Sequence, residues 1–250
     1  MLSEAMLAEY RSRGRLTIPQ LISAHELARL KQAALALAAG PALRERIVEP
    51  DGSTVRTVFN AHELHPYVGE LITGDRMVGI VEALLQEKVY VLQSQLNPKP
   101  AFDTVLWRWH SDYLFWHTRD GMREPRALTA TVYLDDVTIF NGPILAIPGS
   151  HRLTAWEVAE EGDNLPCGEK NANADPSRKV IRKLADENGL EFLTGSAGSV
   201  LFLDAQVLHC STANQSPYDR GIVIARYNSV MNPLPDISQP RPEWKVRRRP

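Results

Sequence analysis

The chain has 250 residues, of which 44% are hydrophobic and 23% charged, and it carries a formal net charge of −2. A chain of this length and composition folds as a globular protein and buries a sizeable core without disulfides or a structural metal. The near-neutral charge excludes the basic footprint of a nucleic-acid-binding protein. Only two cysteines, Cys167 and Cys210, exclude a disulfide scaffold and favour a reducing compartment.

No targeting or membrane-spanning pattern stands out in the sequence. The N-terminal "MLSEAMLAEY" contains acids and lacks a basic start, and the apolar stretch "AALALAAG" is too short to span a bilayer. The basic C-terminal "KVRRRP" has the composition of a solvated tail. We predict a cytoplasmic protein with no nucleic-acid or membrane partner. The oligomeric state does not follow from the sequence.

Residues 1–87 are predicted to be mostly helical. Ser23, followed three residues later by Glu26, forms the capping box of a helix that runs to Gly40, a residue type that commonly ends helices. A second amphipathic pattern covers residues 75–86, with Asp75 as its N-cap. We expect these helices to pack on the outside of the remaining structure.

After Lys88 the sequence changes to short β-branched segments bounded by Pro, Gly, Asn and Asp, which is typical of strands. Their density predicts a β sandwich or barrel over residues 88–232, with the whole chain 1–250 forming one domain. Within this region, the segment 152–190 is largely polar and too long for a simple turn. We predict that it forms a lid loop at the barrel mouth, mobile until substrate binds.

The segment "RWHSDYLFWH" places His110 and Asp112 two residues apart within an aromatic run. In an extended segment, residues i and i+2 point to the same side, so an imidazole nitrogen and a carboxylate oxygen can meet one cation there. His209 offers a third ligand from a later β-like segment. Two histidines and one carboxylate on one face of a metal form the facial triad of non-haem Fe(II) oxygenases. A zinc hydrolase site is the alternative for this ligand set.

A carboxylate-binding group is predicted beside the third ligand. Arg220 lies eleven residues after His209, beyond a turn, and we expect it on the neighbouring strand of one hairpin, facing the same way. Ser211 shares that face, and a guanidinium with a hydroxyl there would bind a carboxylate. A surface ion pair with Asp219 is the alternative for Arg220. Cys210 is expected to point away from the metal, because neighbours on a strand alternate faces.

Two longer segments, "WHSDYLFWHTRDGMREPRAL" (109–128) and "DDVTIFNGPILAIPGSH" (135–151), resemble the phytanoyl-CoA dioxygenase superfamily of Fe(II)- and 2-oxoglutarate-dependent oxygenases. That family shows a similar W-H-x-D-F-x-x-W segment, followed by D-G-M/L-P, F/Y-N-G-P and G-S-H. Within it the chain is most similar to ectoine hydroxylases and to bacterial hydroxylases of free amino acids such as leucine. The resemblance spans residues 56–241 with gaps. It implies a mainly β fold, a cupin-like double-stranded β-helix or jelly roll, with helices outside.

The same resemblance implies roles for individual residues. The implied iron ligands are His110, Asp112 and His209. The implied 2-oxoglutarate contacts are Arg220 and Ser211, at the distal carboxylate, with Asn97 and Thr129. The implied substrate-pocket residues are Gln93 and Trp116.

Two positions bear on the substrate and the reaction that the resemblance implies. Leu203 stands where ectoine hydroxylases carry a phenylalanine six residues before the distal histidine, which removes one wall of an aromatic sandwich. Asp112 is present where related halogenases carry a small residue. Chloride then has no vacant position on the metal, and hydroxylation is favoured over halogenation.

Further side chains are candidates for the substrate pocket. Leu203 and Trp107 are candidates for its apolar side, with core packing as the alternative for Trp107. Arg126 and His62 are candidate polar anchors for a small zwitterion. Lys99 follows Asn97 at strand spacing, which places it either near the charge of the co-substrate or in solvent.

We predict an oxygenase that uses Fe(II), 2-oxoglutarate and O₂, with ascorbate as the reductant in vitro. It hydroxylates an unactivated C–H bond of a small free amino acid or cyclic imino acid and releases succinate and CO₂. The alternatives are the same chemistry on a larger natural-product intermediate and a non-catalytic cupin-like binding protein. A complete triad together with Arg220 argues against the binding protein, which has no need of an open-sided iron site.

Overall fold

The computed structural model describes residues 2–40, 43–153 and 176–250. The helices in these ranges are α1 (Glu4–Arg13), α2 (Ala24–Ala39), α3 (Ala61–Leu64), α4 (Pro66–Thr73), α5 (Asp75–Leu85), α6 (Asp112–Asp120) and α7 (Arg178–Asn188). The strands are β1 (Arg15–Ile18), β2 (Arg46–Val48), β3 (Val55–Phe59), β4 (Val89–Asn97), β5 (Trp107–His110), β6 (Ala127–Tyr133), β7 (Ile144–Ala146), β8 (Glu191–Leu193), β9 (Val200–Asp204), β10 (His209–Ser211) and β11 (Ile222–Ser229). None of these helices is long and apolar enough to cross a membrane.

Two antiparallel sheets form the β core. The larger sheet has the order β1-β9-β6-β11-β4-β3-β2, and the smaller has the order β5-β10-β7-β8. This arrangement confirms the predicted jelly roll. The N-terminal third is less helical than expected, because β1, β2 and β3 add to the edges of the larger sheet, where backbone groups would otherwise lack partners.

The larger sheet is covered by helices on one face and lines a cavity with the other. In β11, the side chains of Val223, Ala225 and Tyr227 join the helix-covered core, whereas Ile224 and Arg226 line the cavity. This alternation is the period-two geometry of a strand. Helices α2, α4 and α5 supply the apolar side chains that cover the outer face, as the sequence predicted.

The caps of the N-terminal helices follow their local sequence. The capping box of Ser23 and Glu26 is present at α2, and Gly40 is its C-cap. The prediction of Asp75 as an N-cap is wrong by one position, because Gly74 is the N-cap and Asp75 is the first helical residue. Its carboxylate still lies in the first turn, where the helix dipole favours negative charge.

The C-terminal segment folds back on the sheet, and the prediction of a solvated tail is wrong. Val246 is fully buried, and the backbone N–H of Arg247 donates to the carbonyl of Leu92 at 2.7 Å. The Arg248 guanidinium donates to the carbonyl of Asp120 at 3.0 Å. Main-chain hydrogen bonds and one buried valine fix the segment, while arginine stems lie along the protein surface.

Part of the segment predicted as a lid loop is a helix. Within 152–190, residues 154–175 lie outside the described residues, whereas residues 178–188 form α7. Its residues Val180 and Leu184 pack against Leu208 in a small core cluster. The i, i+4 spacing of these two residues is the helical signal that the polar composition concealed. Lid motion stays a prediction.

Candidate active site

His110, Asp112 and His209 meet between the two sheets. His110 ends β5, Ser111 is extended and caps the next helix, and Asp112 is the first residue of α6. His209 begins β10 directly opposite His110, with the ring centroids 4.2 Å apart. One possible ligand atom from each of the three residues lies within 4.8 Å of the other two. The side chains therefore converge as the sequence predicted, although a helix rather than a strand carries Asp112.

Hydrogen bonds orient the three side chains for a metal. His110 Nδ1 lies 2.7 Å from the Arg108 carbonyl and His209 Nδ1 lies 2.9 Å from the Val207 carbonyl, which leaves both Nε2 atoms free as ligands. Thr129 donates its hydroxyl to Asp112 Oδ2 at 2.7 Å. The other oxygen, Oδ1, lies 3.9 Å from His110 Nε2. The donor set fits a metal ion, with one carboxylate oxygen held by the protein and the other available.

The charge states of the triad suit metal binding. Burial alone raises the pKa of Asp112, but the charges of Arg226, His209 and His110 outweigh burial and hold this pKa well below its usual range. Burial lowers the pKa of His209 to about 4, with a further contribution from His110. Asp112 is therefore ionised and His209 neutral near pH 7, which are the forms that bind metal.

Two buried cations face the same cavity. Lys99 and Arg220 are 5% and 3% exposed. Lys99 Nζ donates to the Thr212 carbonyl at 2.5 Å and to Ser211 Oγ at 3.3 Å. Burial and the charge of Arg220 lower the pKa of Lys99 to about 7, and burial lowers the pKa of Arg220 to about 10. Such a site is suited to an anionic ligand, because an anion offsets both the burial cost and the mutual repulsion.

Arg220 borders the cavity, but the hairpin predicted to bring it there is wrong. The strands β10 and β11 do not form a hairpin, because β10 belongs to the smaller sheet and β11 to the larger. Arg220 precedes β11 of the larger sheet, Ser211 lies in β10 of the smaller sheet, and both border the cavity. One of its Nη atoms donates to the Gly142 carbonyl, whereas its Nε has no hydrogen-bond partner among the described residues. The guanidinium and the hydroxyl thus come from different sheets and border the same cavity.

The cavity that contains both sites has a volume of about 360 Å³. Its lining includes most residues proposed from the sequence: His110, Asp112, His209, Arg220, Ser211, Asn97, Gln93, Trp116, Trp107 and Lys99. Asn97 accepts a hydrogen bond from the Thr57 hydroxyl at 2.5 Å. Cys210 also borders the cavity and is not part of the metal-binding cluster. A volume of this size is typical of small-molecule sites.

Two proposed polar anchors lie away from the cavity. His62 contacts Ser94 Oγ at 2.6 Å, and Ser94 alternates in β4 with the cavity-lining Gln93 and Gln95. His62 is therefore on the helix-covered face of the sheet and does not line the cavity, and its role as an anchor stays a prediction. Arg126 does not line the cavity either, because its half-exposed side chain pairs with Glu87 at 2.7 Å, and its role as an anchor also stays a prediction.

Two other proposed residues border the site without lining the cavity. Leu203 is 1% exposed and packs in a core cluster with Tyr133 and Ile224, so it does not form an open pocket wall. Thr129 is opposite Leu203 across β6 and β9, and its hydroxyl is donated to Asp112. The Thr129 hydroxyl thus contacts Asp112, a residue of the metal triad. Its contact with the co-substrate stays a prediction.

Arg226 is a further residue of the site that was not predicted from the sequence. Its guanidinium pairs with Asp112 Oδ2 at 3.5 Å and donates to Gln95 Oε1. A signal for it exists in the sequence, because Arg226 interrupts the apolar strand "IVIARYNS" at even spacing from Ile222 and Ile224. A charged residue on the buried face of a strand points to a buried partner.

Comparisons with known proteins agree with this geometry. The family described as phytanoyl-CoA dioxygenase (PhyH) matches residues 10–222. An ectoine dioxygenase from Bordetella bronchiseptica is 36% identical over 97% of this chain and 81% of its own length. The structure of EctD from S. alaskensis with 2-oxoglutarate and 5-hydroxyectoine superposes with a TM-score of 0.88 at 32% identity, covering 100% of this chain and 85% of that one. The same protein with bound Fe superposes with a TM-score of 0.85 at 32% identity, covering 99% of this chain and 84% of that one.

The jelly roll, the triad and these matches define a non-haem Fe(II)- and 2-oxoglutarate-dependent dioxygenase that hydroxylates a small substrate. The chain belongs to the phytanoyl-CoA dioxygenase family. These findings confirm the predicted hydroxylation and the predicted requirement for iron and 2-oxoglutarate. They exclude the two alternatives, a zinc hydrolase and a non-catalytic binding protein.

Proposed function

We propose that the enzyme hydroxylates a small zwitterionic amino acid or cyclic imino acid, with ectoine as the first candidate. The supporting relatives are ectoine dioxygenases of 34% and 36% identity over nearly the whole chain. The observation that carries the proposal is the single cavity of about 360 Å³ bordered by both the triad and the buried cations. Because 2-oxoglutarate and the substrate have to share this space, the substrate is small.

In this proposal, three side chains bind the distal carboxylate of 2-oxoglutarate: Lys99, Arg220 and Ser211. Their support is their burial, their common cavity and the lack of an ion-pair partner for either cation among the described residues. A bidentate guanidinium and a buried ammonium match a carboxylate in charge and geometry. Asn97 lines the adjacent wall and adds a polar contact to the same co-substrate.

His110, Asp112 and His209 are the proposed iron ligands. Iron with 2-oxoglutarate and O₂ supplies the oxidative decarboxylation that yields succinate and CO₂ and puts one oxygen atom on a C–H carbon. The protein holds the ligands in place: Thr129 and Arg226 fix one oxygen of Asp112, and two backbone carbonyls fix the histidine rings. Fixed ligands aim a single C–H bond of the substrate at the reacting centre.

Trp116 and Gln93 form the proposed substrate wall, with Trp107 on another side of the cavity. Trp116 is 1% exposed and borders the cavity, so it presents a rigid apolar face, whereas Gln93 presents an amide. We further propose that residues 1–250 act as one domain in the cytoplasm, in line with the near-neutral charge and low cysteine content.

The test is anaerobic reconstitution with Fe(II) and 2-oxoglutarate, followed by O₂ and ascorbate. Mass spectrometry then measures succinate and one added oxygen across ectoine, proline and its analogues, and free amino acids such as leucine. We expect succinate and one hydroxylated product in equal amounts for a zwitterion of the panel. Succinate without any hydroxylated product would favour a larger natural-product substrate instead.

A further inference from the structure

A hairpin at the edge of the larger sheet brings an acid and a base to the cavity wall. Strands β2 and β3 pair antiparallel, and Glu49 follows β2 while Arg56 lies within β3. The turn is closed by the Glu49 N–H, which donates to the Thr54 carbonyl at 2.8 Å. Both side chains line the cavity. The hairpin therefore places opposite charges side by side on a wall facing the substrate space.

The pair keeps unused hydrogen-bonding capacity. Glu49 Oε1 and Arg56 Nε are 3.6 Å apart, with side-chain exposures of 13% and 33%. This separation is beyond hydrogen-bond range, and Glu49 Oε1 has no hydrogen-bond partner among the described residues although it is buried. A buried carboxylate oxygen without a partner is costly, and a ligand donor that reaches it removes this cost.

Arg56 is held in place independently of Glu49. Its guanidinium carbon lies 4.8 Å from the ring centroid of Trp107, in a cation–π contact. Trp107 begins β5 and His110 ends it, so the pair lies roughly 10 Å along this strand from a metal ligand. This span suits a small molecule with one end on the hairpin and the other near the iron site.

The other charged residues of the cavity have contacts elsewhere, and Lys245 Nζ lies over the Phe59 and Trp244 rings, 5.5 and 5.2 Å from their centroids. Asp112 is a metal ligand, and Asp103 Oδ1 accepts from the Val105 N–H at 2.9 Å. Arg226 pairs with Asp112, and Arg241 forms a two-point contact with buried Asp120 at 2.8 and 2.6 Å. Among the described acids lining the cavity, Glu49 is left to receive a positive charge.

We infer that Glu49 and Arg56 select a zwitterionic substrate: Glu49 receives its ammonium or amidinium group, and Arg56 receives its carboxylate. This inference rests on the proposed function, since it assigns residues to the recognition of that substrate class. It also explains why an enzyme whose co-substrate is an anion keeps a carboxylate on the cavity wall. That carboxylate discriminates against a second anionic molecule and attracts a ligand with a positive end.

The test removes one charge at a time from the protein and from the ligand. The variants are Glu49→Gln and Arg56→Gln, with Glu63→Gln, an exposed acid outside the cavity, as the control. The ligands are ectoine, and L-proline and L-leucine each as the amino acid, the amide without a carboxylate and the N-acetyl derivative without a cation. Binding to the anaerobic protein with Fe(II) and 2-oxoglutarate is followed by tryptophan fluorescence, and the hydroxylation panel is run in parallel.

We expect Glu49→Gln to weaken binding of the amino acid and the amide by roughly 10- to 100-fold and to leave the N-acetyl derivative unchanged. Arg56→Gln should weaken the amino acid and the N-acetyl derivative and leave the amide unchanged. The affinity for 2-oxoglutarate and the melting temperature should match those of Glu63→Gln. Equal weakening of all three forms, or no weakening, overturns the inference.

The parallel panel separates this inference from the proposed function. If the unaltered enzyme hydroxylates a zwitterion and Glu49→Gln keeps the same charge preference, the pair has no role in selection and the function stands. If the unaltered enzyme neither binds nor hydroxylates any zwitterion of the panel, the proposed substrate class and this inference both fail.

Discussion

The two charged ends of the cavity differ in how their charges are satisfied before any ligand binds. At the metal end, Asp112 is paired with Arg226 and accepts from Thr129, and both histidine rings have a carbonyl partner. At the other end, neither Lys99 nor Arg220 forms an ion pair with a described residue, although Asp103 acts on both at longer range. The metal end is therefore fixed by the protein, whereas the cation end is complete only when an anion binds.

The largest effect is expected from removing the carboxylate of the metal end. Asp112→Ala leaves two ligands and an unpaired Arg226, so the hydroxylated product and succinate should both fall below detection. Mass spectrometry of the two products measures this loss, and Asp236→Ala, which changes an exposed acid, should keep full activity. Product formation by Asp112→Ala at a rate close to that of the unaltered enzyme would remove Asp112 from the ligand set.

A large effect confined to the co-substrate is expected at the cation end. Arg220→Ala should raise the KM for 2-oxoglutarate by about 100-fold or more, because one partner of a buried charge pair is lost. Iron affinity, measured by anaerobic titration, should change little. An unchanged KM with lost iron would contradict the division of the cavity into two ends.

Thr129→Val tests whether the Thr129 hydroxyl belongs to the metal end or to the cation end of the cavity. If its hydroxyl acts mainly on Asp112, as the 2.7 Å contact indicates, iron affinity should fall by roughly 10- to 100-fold. If its hydroxyl contacts the co-substrate, the KM for 2-oxoglutarate should rise instead. Anaerobic iron titration and co-substrate kinetics on the same preparation distinguish these results, and Thr118→Val, in a helix away from the cavity, is the matched control.

The cation end should give the co-substrate a pH dependence. The pKa of Lys99 is lowered to about 7, so its positive charge is present below that pH and is lost above it. Affinity for the 2-oxoglutarate dianion should then fall as pH rises above 7, by up to about tenfold per pH unit. Lys99→Met should abolish this slope in a series of KM measurements. A slope that survives in Lys99→Met assigns the titration to another group.

The same lowered pKa predicts an opposite trend for stability without ligand. Between about pH 7 and the ordinary lysine value of 10.5, the unfolded chain binds a proton at Lys99 that the folded protein does not. The contribution of this group to the free energy of unfolding therefore rises with pH over that window. Chemical denaturation of Lys99→Met and the unaltered protein across the window checks the sign.

The smallest effect is expected at Arg126, which the sequence placed in the site and the structure places outside it. Its exposed ion pair with Glu87 contributes about 0.5 kcal/mol, so Arg126→Ala should leave kcat, KM and stability nearly unchanged. A tenfold loss of kcat/KM in Arg126→Ala would return Arg126 to the substrate site.

Individual residues show why some predicted positions around the cavity agree with the structure and others do not. Trp116 and Gln93, which the resemblance places in the substrate pocket, do line the cavity, and their contact with substrate stays a prediction. His62, in α3, lies away from the cavity because it contacts Ser94 on the face of β4 that the helices cover. Which face the helices cover cannot be read from the local sequence. The Glu49–Arg56 hairpin joins the cavity only by pairing with β4, and that pairing connects residues far apart in the chain.

The sequence by itself indicated the class of chemistry, because two histidines and one carboxylate (His110, Asp112 and His209) form a metal triad and the surrounding motifs resemble those of Fe(II)- and 2-oxoglutarate-dependent oxygenases. It also determined the caps of α2 and the alternation of the strands, because both depend on residues close in sequence. Only the tertiary structure decided that Arg220 and Ser211 reach the cavity from different sheets and that the C-terminal segment is packed rather than solvated. It also decided that Arg226, not Arg126, faces the metal site. Each of these outcomes depends on contacts between residues far apart in the chain, which long-range packing sets rather than local sequence.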